Sequence, residues 1–388
     1  MTVPTAKALC PVCGAAESVE VVTRVALPVL QNVVYSARTE ALDSPVAPFA
    51  LSVCSACGFG FNSRFDPARM VYDERYDNEV PSPAFLCYYR EVAKSLADRF
   101  LRPGDAVYEV GCGKGTFLEA LLDVAPGVRA IGVDPTCKPR ESSRLRLTQG
   151  EFSPSAVTER PSLVICRHVL EHIQHPIDFL AAIREALEGF GGIPVYVEVP
   201  DLSWILEHGA FWDFCYEHCN YFAPSNLALS LQRAGFTVVD AGVSFSQQYQ
   251  WVVASSVPSS VGAQDDGASL VAAALQYKAA ESSGLARARK RALEARGRGS
   301  CVLWGMATKG VVFAHLVDPN REVFDGGVDL NPRKQDCFVP GSGHRIHAPE
   351  WLTTLPQPVT VFVMNPNYAA EIAALLSEMR VDAVLEVL

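Results

Sequence analysis

The stretch Phe211-Trp-Asp-Phe-Cys-Tyr216-Glu217-His218-Cys-Asn220-Tyr221-Phe222 packs two phenols, two carboxylates, an imidazole and an amide into one short segment. Side chains of these types can together remove a proton and hold the negative charge left on an oxygen. A second chemical signal is Val107-Tyr-Glu109-Val-Gly111-Cys-Gly113-Lys-Gly115, an apolar run ending in an acid and followed by alternating glycines. Glycines let a backbone approach a bulky ligand where a Cβ would collide. The next apolar run, Val128 to Val133, ends in Asp134, whose carboxylate can accept hydrogen bonds from two ribose hydroxyls. No Lys-Ser/Thr pair follows the glycines, which argues against a P-loop, whereas dinucleotide-binding folds use turns of this kind too. A third signal is the pair Cys10-Pro-Val-Cys13-Gly14 and Cys54-Ser-Ala-Cys57-Gly58. Two such knuckles supply four thiolates, enough to close a tetrahedral structural zinc site with no position left for water. A redox dithiol and plain buried cysteines are the other readings.

These groups need a scaffold, and the chain divides into three segments. Residues 1–70 hold the cysteine knuckles, with a sizeable excursion between them. Residues 71–255 alternate strand and helix patterns: the glycine turn leads into a helix from Thr116 to Leu122, then come a strand at Ser162–Cys166 and a helix at Ile177–Leu187. A strand at Ile193–Val199 and a helix near 225–234 follow, and Phe236–Ala241 with Tyr249–Ala254 reads as an antiparallel ending. This alternation predicts an α/β fold with a mainly parallel sheet covered by helices, and ligands collect at strand C-termini in such sheets. After a Ser/Gly/Asp-rich patch at 255–268, residues 256–388 begin with an Ala-rich helix near 269–296. A strand and small-residue turn at Cys301–Gly310 then suggest a second, smaller Rossmann-like domain. That turn lacks the Gly-x-Gly-x-x-Gly fingerprint, so a scaffold that closes over the site is expected rather than a second cofactor.

The string Glu109-x-Gly111-x-Gly113-x-Gly115 followed by Ile131-Gly-Val-Asp134 resembles the class I S-adenosylmethionine-dependent methyltransferases. The whole chain resembles the zinc-containing C-methyltransferases of deoxysugar biosynthesis in antibiotic pathways. They share the order zinc module, methyltransferase core, C-terminal Rossmann-like domain. The matching motifs are Tyr216-Glu217-His218-x-x-Tyr221-Phe222, Trp304-Gly-x-x-x-Lys309-Gly310, Asp329-x-Asn-Pro-x-Lys334 and Asn365-x-x-Tyr368-x-x-Glu371-Ile. The resemblance implies methyl transfer from S-adenosylmethionine to a carbon beside a ketone, in a nucleotide-linked keto-deoxysugar or a related specialised metabolite. A C–H of that kind attacks only after a base has removed its proton. His218 is the expected base, being near neutral in pKa. Glu217 is expected to orient the imidazole. Tyr216 and Tyr76 are expected to donate to the enolate oxygen, with Tyr221 completing the loop.

The cofactor set implied is Glu109, Gly111, Gly113, Gly115 and Asp134, with Glu151 and Phe152 at the adenine edge and His168 near the methionyl part. The metal set is Cys10, Cys13, Cys54 and Cys57. His172 with His175, His344 with His347, and Cys215 with Cys219 are read as fold or packing features. Two readings remain beside carbon methylation. One is an O- or N-methyltransferase on another natural-product scaffold; the other is a non-catalytic S-adenosylmethionine-binding scaffold. The resembling enzymes carry an Asp-Leu-Gly-x-x-Pro-Leu-Ala-Asn-like stretch after the first knuckle, where this chain has Ala26-Leu-Pro-Val-Leu-Gln31-Asn32-Val-Val-Tyr35.

Composition sets the outer limits. The 388 residues suggest two or three domains, and 49% hydrophobic with 20% charged residues describes a globular chain with ample core. A formal net charge of −10 argues against a nucleic-acid partner, and the basic run near 287–298 reads as a solvated helix face. No apolar stretch is long enough to span a membrane, and the N-terminus lacks a signal peptide's apolar core. Twelve scattered cysteines fit a reducing cytoplasm better than a disulfide framework. The partner expected is a small-molecule acceptor, and the sequence is silent on oligomeric state.

Overall fold

The computed structural model describes residues 8–72, 75–79, 82–257 and 267–388. Met1–Lys7, Asp73 and Glu74 of the Tyr76 segment, and 258–266 of the Ser/Gly/Asp-rich patch lie outside the described residues.

The two cysteine knuckles fold as the same turn. Gly14 N–H donates to Cys10 O and Gly58 N–H donates to Cys54 O, both at 2.9 Å. Both glycines are left-handed, with φ of 75° and 70°, a region open to glycine at little cost. The excursion between the knuckles is a hairpin-like pair, β1 (Ser18–Pro28) antiparallel to β2 (Val46–Cys54), with Ser18 opposite Cys54. The second knuckle is then the turn between β2 and β3 (Gly60–Asn62).

Beyond a long helix, Pro83–Phe100, comes the central sheet. Its strands are β4 (Ala106–Val110), β5 (Arg129–Asp134), β6 (Arg140–Glu141), β7 (Leu145–Gln149), β8 (Leu163–Arg167) and β9 (Pro194–Pro200). The next strand, β10 (Asn220–Tyr221), leaves this sheet. The last two, β11 (Thr237–Ser244) and β12 (Tyr249–Ser255), close it in the order β11-β12-β9-β8-β4-β5-β7-β6. Pairings around β4, β5, β7, β8 and β9 are parallel; β11 pairs antiparallel with β12 as the sequence pattern predicts, and β12 joins β9 antiparallel. The chain order reverses at β4, which has β5 on one side and β8 on the other; ligands in open α/β sheets sit at such a switch point.

β10 belongs instead to the N-terminal sheet, where Asn220 pairs with Phe61 and Tyr221 with Gly60 on β3. Gly60 allows this, since a Cβ there would stand 2.8 Å from Leu202 Cδ2 and 3.0 Å from Tyr221 Cβ. The loop carrying His218 is therefore stitched to the strand that leaves the second cysteine knuckle.

The C-terminal sheet is parallel, ordered β15 (Ile346–His347), β14 (Gly326–Val328), β13 (Ser300–Trp304), β16 (Val359–Val363), β17 (Ala383–Val387). The helix Gly267–Arg298 precedes it and buries Ala274, Ala288, Ala292 and Ala295. On its basic face, Arg291 pairs with Glu386 and Arg296 with Asp325. One apolar core joins Phe49 and Leu51 of the N-terminal sheet to Phe214, Phe313 and Phe362, and a second joins Cys54, Phe59 and Phe61 to Val164, Val195 and Leu227. The N-terminal module thus packs against both of the others.

Candidate active site

The glycine turn leaves β4 at Val110, and its glycines do different work. Gly111 has φ 76°, and a Cβ there would lie 2.1 Å from Val169 Cγ2; Gly115 has φ 85°, with Leu147 Cδ1 at 2.8 Å. Both are demanded by packing. Gly113 has φ 52° and nothing within 4 Å of its Cβ position, so it alone of the three faces open space. The chemistry at this turn suits an adenosyl amino acid. Glu109 is 3% exposed and its Oε2 has no hydrogen-bond partner among the described residues. Burial pushes its carboxyl up to about 8, against the pull of Arg167. An incoming ammonium or hydroxyl group would satisfy that oxygen. Asp134 accepts from Gly113 N–H at 3.0 Å through one oxygen, and from Thr136 N–H and Oγ1–H at 2.7 and 2.6 Å through the other. Gly150 N–H donates to Asp134 O at 3.1 Å, which brings exposed Glu151 and half-buried Phe152 alongside.

The C-terminal domain repeats this grip. Asp329 accepts from Met306 N–H and from Asn331 N–H, both at 2.9 Å. There, however, the buried Met306 side chain fills the turn, and a Cβ on Gly327 would stand 2.3 Å from its Cγ.

Behind the cofactor turn lies a charge cluster that sequence reasoning missed. Glu198 on β9 is fully buried and accepts from Arg167 Nε and Nη2 at 3.1 and 2.8 Å, from Tyr88 Oη at 2.5 Å and from Tyr196 Oη at 2.6 Å. Burial alone would raise its carboxyl, but Arg167 and these donors hold it well below the usual range. The guanidinium stacks over Phe117 and Tyr89, 4.2 and 4.5 Å from their ring centres. His168 follows with φ 53°, a left-handed conformation that is uncommon outside glycine. Its ring nitrogens lie 3.2 Å from Glu198 and 3.5 Å from Glu171, with the former out of hydrogen-bond alignment. The one available sequence signal was an acid inside the apolar run Val195-Tyr-Val-Glu198-Val.

In the 211–222 loop the structure redistributes the expected roles. Tyr216 is fully buried, packs against Phe65 and accepts from Asp66 N–H at 3.0 Å. Tyr221 accepts from Cys215 N–H at 3.1 Å and donates to Cys215 O at 2.9 Å. Both phenols are committed to holding the loop, because the β10–β3 pairing turns them into the core. Glu217 is 2% exposed and accepts hydrogen bonds from Gln31 N–H and, at 2.9 Å, from the Tyr76 hydroxyl. It makes no hydrogen bond to His218, so the expected orienting role passes away from it. Tyr76 does reach the site, but as a donor to Glu217.

His218 is half-buried, with its ring 4.8 Å from that of His172, whose Nδ1 lies 3.1 Å from Glu217 O. Burial first, then the neighbouring His172, push the His218 imidazole down to about 3, with Glu171 pulling the other way. It is accordingly neutral at physiological pH.

A strap carrying Tyr76 ties the modules together. Lys114 of the glycine turn lies 3.3 Å from Asp77 and 3.4 Å from Glu79, and Arg333 of the C-terminal domain pairs with the same two acids. Lys334, fully buried, donates to Asn32 Oδ1 at 2.9 Å, and Asn32 Nδ2 donates to Thr308 at 3.1 Å. Gln31 and Asn32 come from the stretch where this chain departs from the enzymes it resembles. Of the histidines read as fold or packing features, His344 bonds Asp318 at 3.0 Å and His347 stacks on Trp351, whereas His172 stands beside His218 and Glu171, the three offering ligand atoms within 4.8 Å of one another.

The four knuckle thiols converge. Cys10 Sγ is 3.7 Å from Cys57 Sγ and Cys13 Sγ is 3.4 Å from Cys54 Sγ, with all four within 4.8 Å of one another. Zn–S bonds of about 2.3 Å in a tetrahedron separate sulfurs by roughly 3.8 Å. The set therefore fits zinc with little adjustment.

Comparison with known proteins bears on the two larger modules. Residues 85–241 match the family described as "Methyltransferase domain", and 276–384 match "C-methyltransferase C-terminal domain". A malonyl-[acyl-carrier protein] O-methyltransferase of Paenibacillus is 26% identical over 194 residues, 45% of this chain and 64% of that protein. The mitochondrial ubiquinone biosynthesis O-methyltransferase of Schizosaccharomyces pombe is 26% identical over 98 residues, 23% of this chain and 36% of its own length. The chain thus spans between about one third and two thirds of these curated relatives. An Aquifex aeolicus S-adenosylmethionine-dependent methyltransferase structure aligns at 16% identity and TM-score 0.35, covering 45% of this chain and 94% of that one. Among the described residues no helix is long and apolar enough to cross a membrane. The switch-point turn, the sheet order and the match over residues 85–241 give this chain a class I S-adenosylmethionine-dependent methyltransferase fold, and residues 276–384 are similar to the family described as a C-methyltransferase C-terminal domain.

Proposed function

We propose that this chain is an enzyme that methylates a small acceptor with His218 as the base that deprotonates it. The observation that carries this reading is a half-buried imidazole in a loop packed on the segment that follows β8, next to the switch-point strand of a methyltransferase fold. When bound, S-adenosylmethionine supplies an electrophilic methyl group on a sulfonium. Glu109, Asp134 and the open face of Gly113 would hold it at the end of β4 and β5. His218 would take a proton from the acceptor atom and free an electron pair there for the methyl carbon, while the methyl–sulfonium bond that breaks would release S-adenosylhomocysteine as the leaving group. Glu217 and Tyr76 fix the wall of the acceptor cleft, together with Asn32 and Lys334 from the flanking modules.

One reading of the acceptor atom is a carbon beside a ketone, as in a nucleotide-linked keto-deoxysugar, in line with the C-terminal family match. A hydroxyl or amine acceptor is the second reading, favoured by the two O-methyltransferases among the relatives. The structural zinc would sit on Cys10, Cys13, Cys54 and Cys57, anchoring β3 and through it β10 next to His218. We further propose a cytoplasmic setting, in which the twelve free thiols stay reduced, and no nucleic-acid partner.

The test is turnover of a panel of keto-sugar nucleotides, ketones, phenols and amines, with products located by mass spectrometry and NMR. Carbon methylation requires His218-dependent exchange of the acceptor C–H in deuterated solvent without cofactor; heteroatom methylation shows none. His218→Ala is expected to lower kcat by about 10²–10⁴-fold with cofactor affinity unchanged. Wild-type turnover in that variant refutes the base assignment.

A further inference from the structure

We propose that Glu171, rather than Glu217, is the carboxylate that positions and charges-balances His218 for proton transfer. This rests on His218 being the base. Glu171 lies in the short helical turn Leu170–His172 after β8 and is 2% exposed. Its Oε1 is 3.5 Å from His168 Nδ1, and its Oε2 has no hydrogen-bond partner among the described residues. One of its carboxylate oxygens lies within 4.8 Å of ring nitrogens of both His172 and His218.

A buried carboxylate with a free lone pair is costly unless a cation comes to it. The groups facing His218 are His172, His168 and Glu171 from the segment after β8 and Lys309 from the C-terminal domain. Among these, Glu171 is the acid. Glu217, on the same loop as His218, has its two oxygens engaged by Gln31 N–H and the Tyr76 hydroxyl. Glu171 already has His168 Nδ1 at 3.5 Å, and the imidazolium formed when His218 accepts the acceptor's proton is a second positive charge within its reach. The proton moves from the acceptor to a His218 ring nitrogen and stays there; Glu171 remains ionised and takes none. Burial and His172 push the His218 imidazole down even with Glu171 pulling the other way, and loss of Glu171 would push it further. The carboxylate offsets part of that push at the moment of transfer, as the acid of a hydrolase triad does.

The test uses the full-length, zinc-loaded protein and reads His218 with and without an acceptor. Carbethoxylation of His218 by diethyl pyrocarbonate at pH 7, followed by peptide mass spectrometry, reports imidazole nucleophilicity. An opposite charge at this range is worth about one pKa unit or more. Glu171→Gln is therefore expected to slow His218 modification by about threefold to tenfold. With any acceptor that turns over, it should lower kcat by about 10–100-fold, leave KM within about threefold, and move the acid limb of the pH profile downward. Glu171→Asp should recover part of both effects, and its circular dichroism and melting, compared with those of Glu171→Gln, exclude a folding defect as the cause. Unchanged His218 modification in Glu171→Gln overturns the proposal. So does a second bound zinc per chain that is lost in His172→Ala, which would make the trio a metal site. The outcomes separate cleanly from failure of the functional reading: if His218→Ala keeps full turnover, the base assignment falls, while the modification rates still report the Glu171–His218 coupling.

Discussion

The three glycines of the cofactor turn predict opposite phenotypes for one added methyl group. At Gly111 an alanine would need a left-handed backbone, φ 76°, which costs roughly 1–2 kcal/mol. Its Cβ would also lie 2.1 Å from Val169 Cγ2, which must then move. Overpacking of a close-packed site adds about 1–3 kcal/mol. Gly111→Ala is thus expected to lose about 2–5 kcal/mol of stability, a large fraction of the roughly 5–15 kcal/mol margin of an ordinary domain. At Gly113 the backbone is also left-handed, φ 52°, but no atom lies within 4 Å of the added Cβ. Gly113→Ala should lose only about 1–2 kcal/mol from the backbone. It should instead lower affinity for S-adenosylmethionine by at least about tenfold, or roughly 1.4 kcal/mol, because the methyl group occupies the ligand's space. Urea unfolding followed by tryptophan fluorescence measures the first quantity, and isothermal titration calorimetry with S-adenosylhomocysteine measures the second. A Gly113→Ala protein that binds the ligand as the wild type does, or a Gly111→Ala protein of unaltered stability, refutes the assignment of packing to one glycine and ligand space to the other.

Three further outcomes follow from the buried charges and thiols. Arg167→Met strands the fully buried Glu198 carboxylate and should cost about 3–5 kcal/mol, while Arg167→Met with Glu198→Gln recovers a large share, read by urea unfolding. Glu109 has a folded-state carboxyl raised to about 8, so the stability of its protonated form is full below the unfolded value and is lost as pH rises toward and through 8. Unfolding at pH 5 and pH 8.5 should show that slope flattened in Glu109→Gln, together with weakened cofactor binding. Cys54→Ser should lower bound zinc by about one equivalent per chain, as measured by plasma mass spectrometry, and should increase amide hydrogen exchange in β3, β10 and the His218 loop.

The parts of the molecule that were legible from sequence are those ruled by local pattern. The strand before Gly111, the helix from Thr116, the antiparallel ending at 237–255 and the strand at 300–304 all stand within a few residues of their predicted limits. The two knuckles were legible because Cys-x-x-Cys-Gly encodes a turn that closes on itself. Less legible were pairings between distant segments. The excursion between the knuckles became two long strands, and the 83–100 helix carries Tyr88 and Tyr89 under the cofactor cleft. Nothing in the loop's own composition revealed that Asn220 and Tyr221 would pair with β3.

Residue types and spacing were enough to specify an α/β nucleoside-binding turn, a four-thiol cluster and a loop rich in proton-transfer groups. These are short-range properties, written in periodicity and in glycine's freedom from a Cβ. The partners of each group came only with the tertiary structure. Tyr216 and Tyr221 turned inward because β10 was claimed by the N-terminal sheet, and Glu217 was taken by Gln31 and Tyr76 from segments some 140 to 190 residues upstream. Glu171, unremarkable between a leucine and a histidine, became the acid beside His218 because the end of β8 packs under the loop. A hydrogen bond depends on ångströms and angles, and those are set by the packing of all three modules rather than by neighbours along the chain.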